Sequence, residues 1–177
     1  VDSREGDIKT LTVNSTGTTE FQSTLATASG ITQANAAGTI TFRDAVTTAA
    51  GDTATTFNGN VVLDGLTFTG GGDVTFGNTA TDTLTLSGGP VTVTTAGANA
   101  NQTYEALVDG AQNLTLDAGA GTTTFKAAVG ASTPLGTGTG AALTINSTGT
   151  TEFQSTLATA SGITQANTAG TITFRDA

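Results

Sequence analysis

The stretch NSTGTTEFQSTLATASGITQAN occurs twice in this chain, from Asn14 to Asn35 and again, unchanged, from Asn146 to Asn167. The match is wider than that stretch. Residues 11–45 align with residues 143–177 at a constant offset of 132, and 33 of the 35 pairs are identical. The two exceptions are Val13/Ile145 and Ala36/Thr168. The chain therefore reads as one β-structured unit over 1–177, holding about one and a third copies of a period: 11–142, then 143–177 repeating 11–45. A repeat of this kind points to a solenoid or array, and it implies a window on a longer repetitive protein.

Inside the repeat, short segments alternate between large apolar residues and threonine. In GTITF (38–42), Ile40 and Phe42 share one side while Thr39 and Thr41 share the other. The same grammar places Val74 with Phe76 in GDVTF and Leu84 with Leu86 in TLTLS. Alternation over four to six residues is the period of a strand with one buried side. Gly, Asn, Asp and Pro punctuate the joints.

Composition agrees. Thr, Ala and Gly supply 43, 27 and 24 of 177 residues. Threonine favours a pleated surface, and the scattered Gly and Thr work against any long helix. Charged residues make up 11% of the chain, too few for a typical disordered chain, which also lacks patterned apolar residues.

Spacing then selects among β folds. Segments of the GTITF type end at Phe21, Phe42, Phe76, Phe125, Phe153 and Phe174, with Phe57 and Val93 in intermediate segments. These steps predict coils of about 19–22 residues and an all-β, right-handed parallel β-helix, the hand following from the crossover rule. Eight or nine turns at the strand spacing make a rod about 40 Å long. An antiparallel sandwich or a propeller also has short strands, but needs no self-similarity over so long a period. The one hairpin-like turn, Phe57-Asn58-Gly59-Asn60, is a weak argument for either. The six phenylalanines named above are the expected core and assembly residues. Pro134 and its neighbouring glycines predict a bulged loop over 133–142, and the charged stretch 1–9 predicts a partial cap or irregular loop.

The runs NLTLDAGAGTTTFKAAVGASTPLG (113–136) and ALTINSTGTTEFQSTL (142–157) resemble the repeats of very large secreted haemagglutinin-like adhesins of bacteria. GTITFRDAV (38–46) and GTTTFKAAV (121–129) are also similar to autotransporter-associated β-strand repeats. This resemblance implies a structural stalk exported to the cell surface, as an adhesin rod, filament or sheath component. It transfers no catalytic residue. The expected partners are further repeats, joined covalently or by head-to-tail or lateral self-association, together with cell-surface or glycan contacts.

Charge and residue types limit the other function classes. The net charge is −9, and the five basic residues Arg4, Lys9, Arg43, Lys126 and Arg175 form no run, which argues against phosphate-backbone binding. No apolar run approaches the length of a membrane-spanning helix. With no His and no Cys, neither a Ser-His triad nor a typical zinc site can be built. Polysaccharide-cleaving β-helices need clustered carboxylates. Here Asp44, Asp52, Asp64, Asp73, Asp82, Asp109 and Asp117 are dispersed, often beside glycine, as turn residues are. No catalytic, cofactor or intrinsic metal site is expected; weak surface binding of Ca²⁺ is the remaining ionic reading, since GGGDVTFGN (70–78) lacks the tandem register of calcium β-rolls. Recurrent Thr-x-Thr offers the alternative function, an adhesive face that binds glycan or ice through exposed Thr and Asn. The uneven steps count against a flat ice-binding face. Four Asn-x-Thr/Ser matches, at Asn14, Asn101, Asn113 and Asn146, are at the level expected by chance in so threonine-rich a chain.

Overall fold

Among the described residues, the alternating segments fold as twenty short parallel strands. A computed structural model describes residues 8–51 and 53–175, and the expected cap over 1–9 falls largely outside them. The strands build three parallel sheets, and the chain visits them in rotation, with single bridges in place of face II strands in the last coils. Face I holds eight strands: Leu11–Val13, Ile31–Gln33, Thr55–Phe57, Val74–Phe76, Gln102–Tyr104, Thr123–Phe125, Thr150–Phe153 and Thr171–Phe174. Face II holds Thr18–Phe21, Thr39–Phe42, Asn60–Asp64, Thr83–Ser87 and Leu107–Asp109. It continues upward through single parallel bridges, Val108 to Val129 and Val129 to Leu157. Face III holds Leu25–Thr27, Val46–Thr48, Thr67–Gly70, Val91–Thr95, Leu114–Asp117, Ala141–Ile145 and Gly162–Gln165. The result is a β-solenoid of about eight turns and about 22 residues per turn. No helix occurs among the described residues, so none is long and apolar enough to cross a membrane.

Parallel pairing follows from the sequence. Each strand is three to five residues long and is followed by a corner, not by a hairpin loop, so its next partner is the strand one coil later. The Asn58-Gly59 turn joins Thr55–Phe57 on face I to Asn60–Asp64 on face II and makes no hairpin. Gly59 is needed there for close approach: a Cβ would stand 2.6 Å from the carbonyl oxygen of Ala36 in the coil below.

The core is a narrow column. Phe57, Phe76, Tyr104, Phe125, Phe153 and Phe174 stack one above another on face I, with ring centroids 5.3, 5.4, 4.3, 4.8 and 5.2 Å apart. Phe21 and Phe42 stack separately on face II, 5.3 Å apart. Phe68 on face III meets Phe42, Phe57 and Phe76 edge-on and ties the faces together. Stacked and edge-on pairs each add about 0.5–1.5 kcal/mol beyond the burial of their area. The expected loop over 133–142 is irregular only as far as 140, because the face III strand Ala141–Ile145 takes its last two residues; its Leu135 is fully buried and bridges to Thr159.

One part of the strand grammar has exceptions. Gln33, Gln102, Thr55, Thr123 and Thr151 point inward and are buried. Gln33 donates to the Gly38 carbonyl at 2.9 Å and accepts from the Gly59 N–H at 3.2 Å, closing a corner. Gln102 donates to the Val93 carbonyl at 3.1 Å and accepts from the Tyr104 hydroxyl at 3.1 Å. Burial pushes that phenol well above its ordinary pKa. The hydroxyls of Thr123 and Thr151, adjacent in register, have no hydrogen-bond partner among the described residues.

Candidate functional site

The outward residues of the three faces differ. On face I, one outward position per rung forms the ladder Thr12, Thr32, Thr56, Thr75, Thr103, Thr124, Glu152, Thr173. Coil lengths vary because loops absorb the extra residues, so the ladder keeps its register at about 4.8 Å per rung. On face III, Thr67, Thr92, Thr115, Thr144 and Thr164 form a second ladder, flanked by Thr47, Thr69 and Thr94. Face II is mixed. Its outward positions include Glu20, Thr41, Val62, Thr85 and Asp109 along one line.

The charged residues on these surfaces pair between successive coils. Arg43 bridges Glu20 below it and Asp64 above it, the latter at 2.6 Å. Lys126 pairs with Glu105 at 2.6 Å, and Arg175 pairs with Glu152. Hydrogen bonds from Arg175 and Gln154 hold the Glu152 carboxyl below its usual pKa. Each pair staples one coil to the next.

The dispersed aspartates serve turns and corners. Asp82 accepts from the N–H groups of Asn78 and Thr79, both at 2.9 Å. Asp109 accepts from Ser132 and Thr133 at 3.0 and 3.2 Å. Asp73 accepts from Asn101 at 2.7 Å, and Asp117 from Gly119 at 3.0 Å. Asp44 accepts from the N–H of Ala45, while Asp52 lies outside the described residues. Among the described residues, no three acidic, His or Cys side chains converge as a metal site would require.

The six phenylalanines singled out from the sequence do not form one column. Phe42, Phe76, Phe125 and Phe153 are buried, Phe21 is half-buried in the first complete coil, and Phe174 is 52% exposed in the last. Phe57 and Tyr104 complete the face I stack. Their signal was present in the sequence: TTF (55–57) follows the strand pattern, and QTY (102–104) follows it with tyrosine in place of phenylalanine.

Both end coils present core side chains. At one end, Ile8, Leu11, Phe21 and Leu25 line a groove of about 390 Å³. At the other, Phe174 is joined by Ile163, 38% exposed. No family model, curated protein or solved structure matches the chain.

Proposed function

We propose that this chain is part of an extracellular structural rod: an adhesin stalk, surface filament or sheath whose repeats stack coil upon coil. The observation that carries this reading is that one repeated stretch builds the same coil at two heights of one solenoid. Arg43 pairs with Glu20, and Arg175 with Glu152, each across one coil. The Arg43 N–H donates to the Phe21 carbonyl, and that of Arg175 to the Phe153 carbonyl, both at 2.9 Å. A unit that rebuilds itself on its own top surface is suited to extension, and its stability grows through nearest-neighbour interfaces. The work is mechanical, with the aromatic stack and the strand ladders carrying cohesion along the axis, and no catalysis is proposed. Bacterial export to the cell surface belongs to this reading through the resemblance of the repeats.

The size of the native polypeptide under denaturing conditions tests it. Hundreds of kilodaltons support a covalent array of the repeat. A polypeptide near the 17.3 kDa of this chain overturns the covalent array and leaves head-to-tail association as the route to a rod.

The in-register threonine ladder of face I favours one second reading, an adhesive face for glycan or ice. Binding to a glycan array, or thermal hysteresis in cold solution, would support it. Silence in both assays would remove it.

A further inference from the structure

The two copies of the repeat lie on different faces. Strand Thr18–Phe21 is on face II, whereas its copy Thr150–Phe153 is on face I. Leu11–Val13 is on face I, and Leu143–Ile145 belongs to a strand on face III. Ile31–Gln33 is on face I, and Ile163–Gln165 on face III. Thr39–Phe42 is on face II, and Thr171–Phe174 on face I. Leu25 is on face III, while Leu157 bridges into the line of face II. Every element of the copy has moved back by one face, while the ring stacking and a corner hydrogen bond of the coil are kept. Phe21 and Phe42 stack at 5.3 Å and 13°, Phe153 and Phe174 at 5.2 Å and 13°. Ala37 and Ala169 each donate to the side chain of the asparagine two residues earlier, at 3.0 Å.

Strand order gives the size of the step. Counting Val129 and Leu157 as face II positions, 17 faces separate each strand from its copy, which is five turns and two faces. The division of the rings between two stacks arises between Phe42 and Phe57. That short step passes from face II to face I across only two faces, whereas each later step between stacked rings, such as Phe76 to Tyr104, is a whole turn.

We infer that the coil ending at Arg175 is a docking surface for the next period of the same repeat, and that successive periods join with their surfaces turned by one face. This rests on the reading of the chain as a rod. The first copy identifies the occupant. Phe42 and Ile31 are fully buried, while their counterparts Phe174 and Ile163 are 52% and 38% exposed. What covers the first copy is the following coil, Val46–Asp64: Thr39–Phe42 pairs with Asn60–Leu63, Ile31 donates to the Thr55 hydroxyl at 3.2 Å, and Phe57 packs edge-on against Phe42. The second copy presents the same surface to the same sequence, one face back. A strip such as Glu20–Arg43–Asp64 then returns on each face in turn, about every 27 Å along the axis, and the full surface repeats after three periods, 17 turns or about 82 Å. A lateral partner that reads one period meets the rod at three azimuths.

Two measurements separate the parts. The chain has no cysteine, so introduced pairs are its only thiols. Outward residues on neighbouring parallel strands stand about 4.8 Å apart, within disulfide range. Thr124→Cys with Glu152→Cys should oxidise to a disulfide as completely as the control pair Glu20→Cys with Thr41→Cys on face II. In an unturned stack the second copy would lie on face II, and Thr150→Cys would face Ala128→Cys instead. The second measurement lengthens the chain by the sequence of residues 46–64, appended after Ala177, which occupies the period position of Ala45. Amide exchange across Thr171–Phe174 should slow at least tenfold, and the melting temperature should rise. Oxidation of the 128/150 pair in place of 124/152, with exchange still slowed, overturns the turned register and leaves the rod. Unchanged exchange at Thr171–Phe174 overturns the docking surface and the rod together.

Discussion

Residues 11–45 and 143–177 are nearly one sequence in two surroundings. The first copy begins at the lowest complete coil and is covered from above; the second is stacked on earlier coils and ends at the top. Local geometry is common to both, as the matched ion pairs and stacked rings show. Burial is not. Glu20 keeps 34% of its side-chain exposure where Glu152 keeps 15%, and Phe42 is buried where Phe174 is half exposed. The difference teaches that a coil's shape is a property of its own sequence, while its stability belongs to its neighbours.

The sharpest break of this comparison is at the rings. Phe42→Ala should cost about 3–5 kcal/mol, because it opens a cavity among Phe21, Phe57 and Phe68. Phe174→Ala, the identical change in the copy, should cost well under half as much. Urea unfolding of the two variants reads this directly, and equal losses would mean that position in the stack does not matter.

Glycines give a crossed test. At Gly149 a Cβ would stand 2.1 Å from the Gly121 carbonyl oxygen, but at its counterpart Gly17 the nearest atom is 3.8 Å away. At Gly30 a Cβ would stand 2.0 Å from the Ala54 carbonyl oxygen, but at Gly162 nothing lies within 4 Å. Alanine at 149 and 30 should each cost about 1–3 kcal/mol by overpacking. Alanine at 17 and 162 should be tolerated. At these two positions each copy thus has one permissive and one forbidden glycine, in opposite order, and thermal melts of the four variants would show whether that order holds.

A smaller effect with the opposite sign is expected at Thr151. Its hydroxyl is buried without a partner among the described residues, so Thr151→Val should stabilise by about 1 kcal/mol. Thr19→Val, at a half-buried counterpart, should change little. A loss of stability at Thr151→Val would place a bound water or another partner on that hydroxyl.

The smallest effect is electrostatic. Arg175 and Gln154 lower the Glu152 pKa, so this carboxylate adds stability above the unfolded pKa, near 4.3, and loses it as pH falls through the depressed folded value. Glu152→Gln should therefore flatten the acid limb of the melting-temperature curve below about pH 4.3 and shift the neutral plateau only slightly. An unchanged acid limb would remove Glu152 from the acid response.

Much of this architecture was legible in the chain. Alternation in GTITF, GDVTF and TLTLS placed Ile40, Phe42, Val74, Phe76, Leu84 and Leu86 inside, and all six are buried. The long period and the steps between phenylalanines pointed to coils stacked in parallel. Alternation puts Gln33, Gln102, Thr123 and Thr151 on the same side as Ile31, Tyr104, Phe125 and Phe153, against the rule of apolar in and threonine out; which of these inward polar groups finds a carbonyl across a corner was not legible, because alternation sorts residues only by side. The division of the phenylalanines between two stacks was hidden for a related reason. The interval from Phe42 to Phe57 and that from Phe57 to Phe76 look alike as gaps, and only the number of corners within each says whether the ring returns to the same face.

The sequence by itself determined that this chain is a β-solenoid built from a repeated coil, since period-two alternation and self-similarity are local and are written in the order of residues. Tertiary structure alone decided which face each copy occupies. Three faces per turn and 17 faces per period share no common factor, so the same residues are carried to a new face at each return.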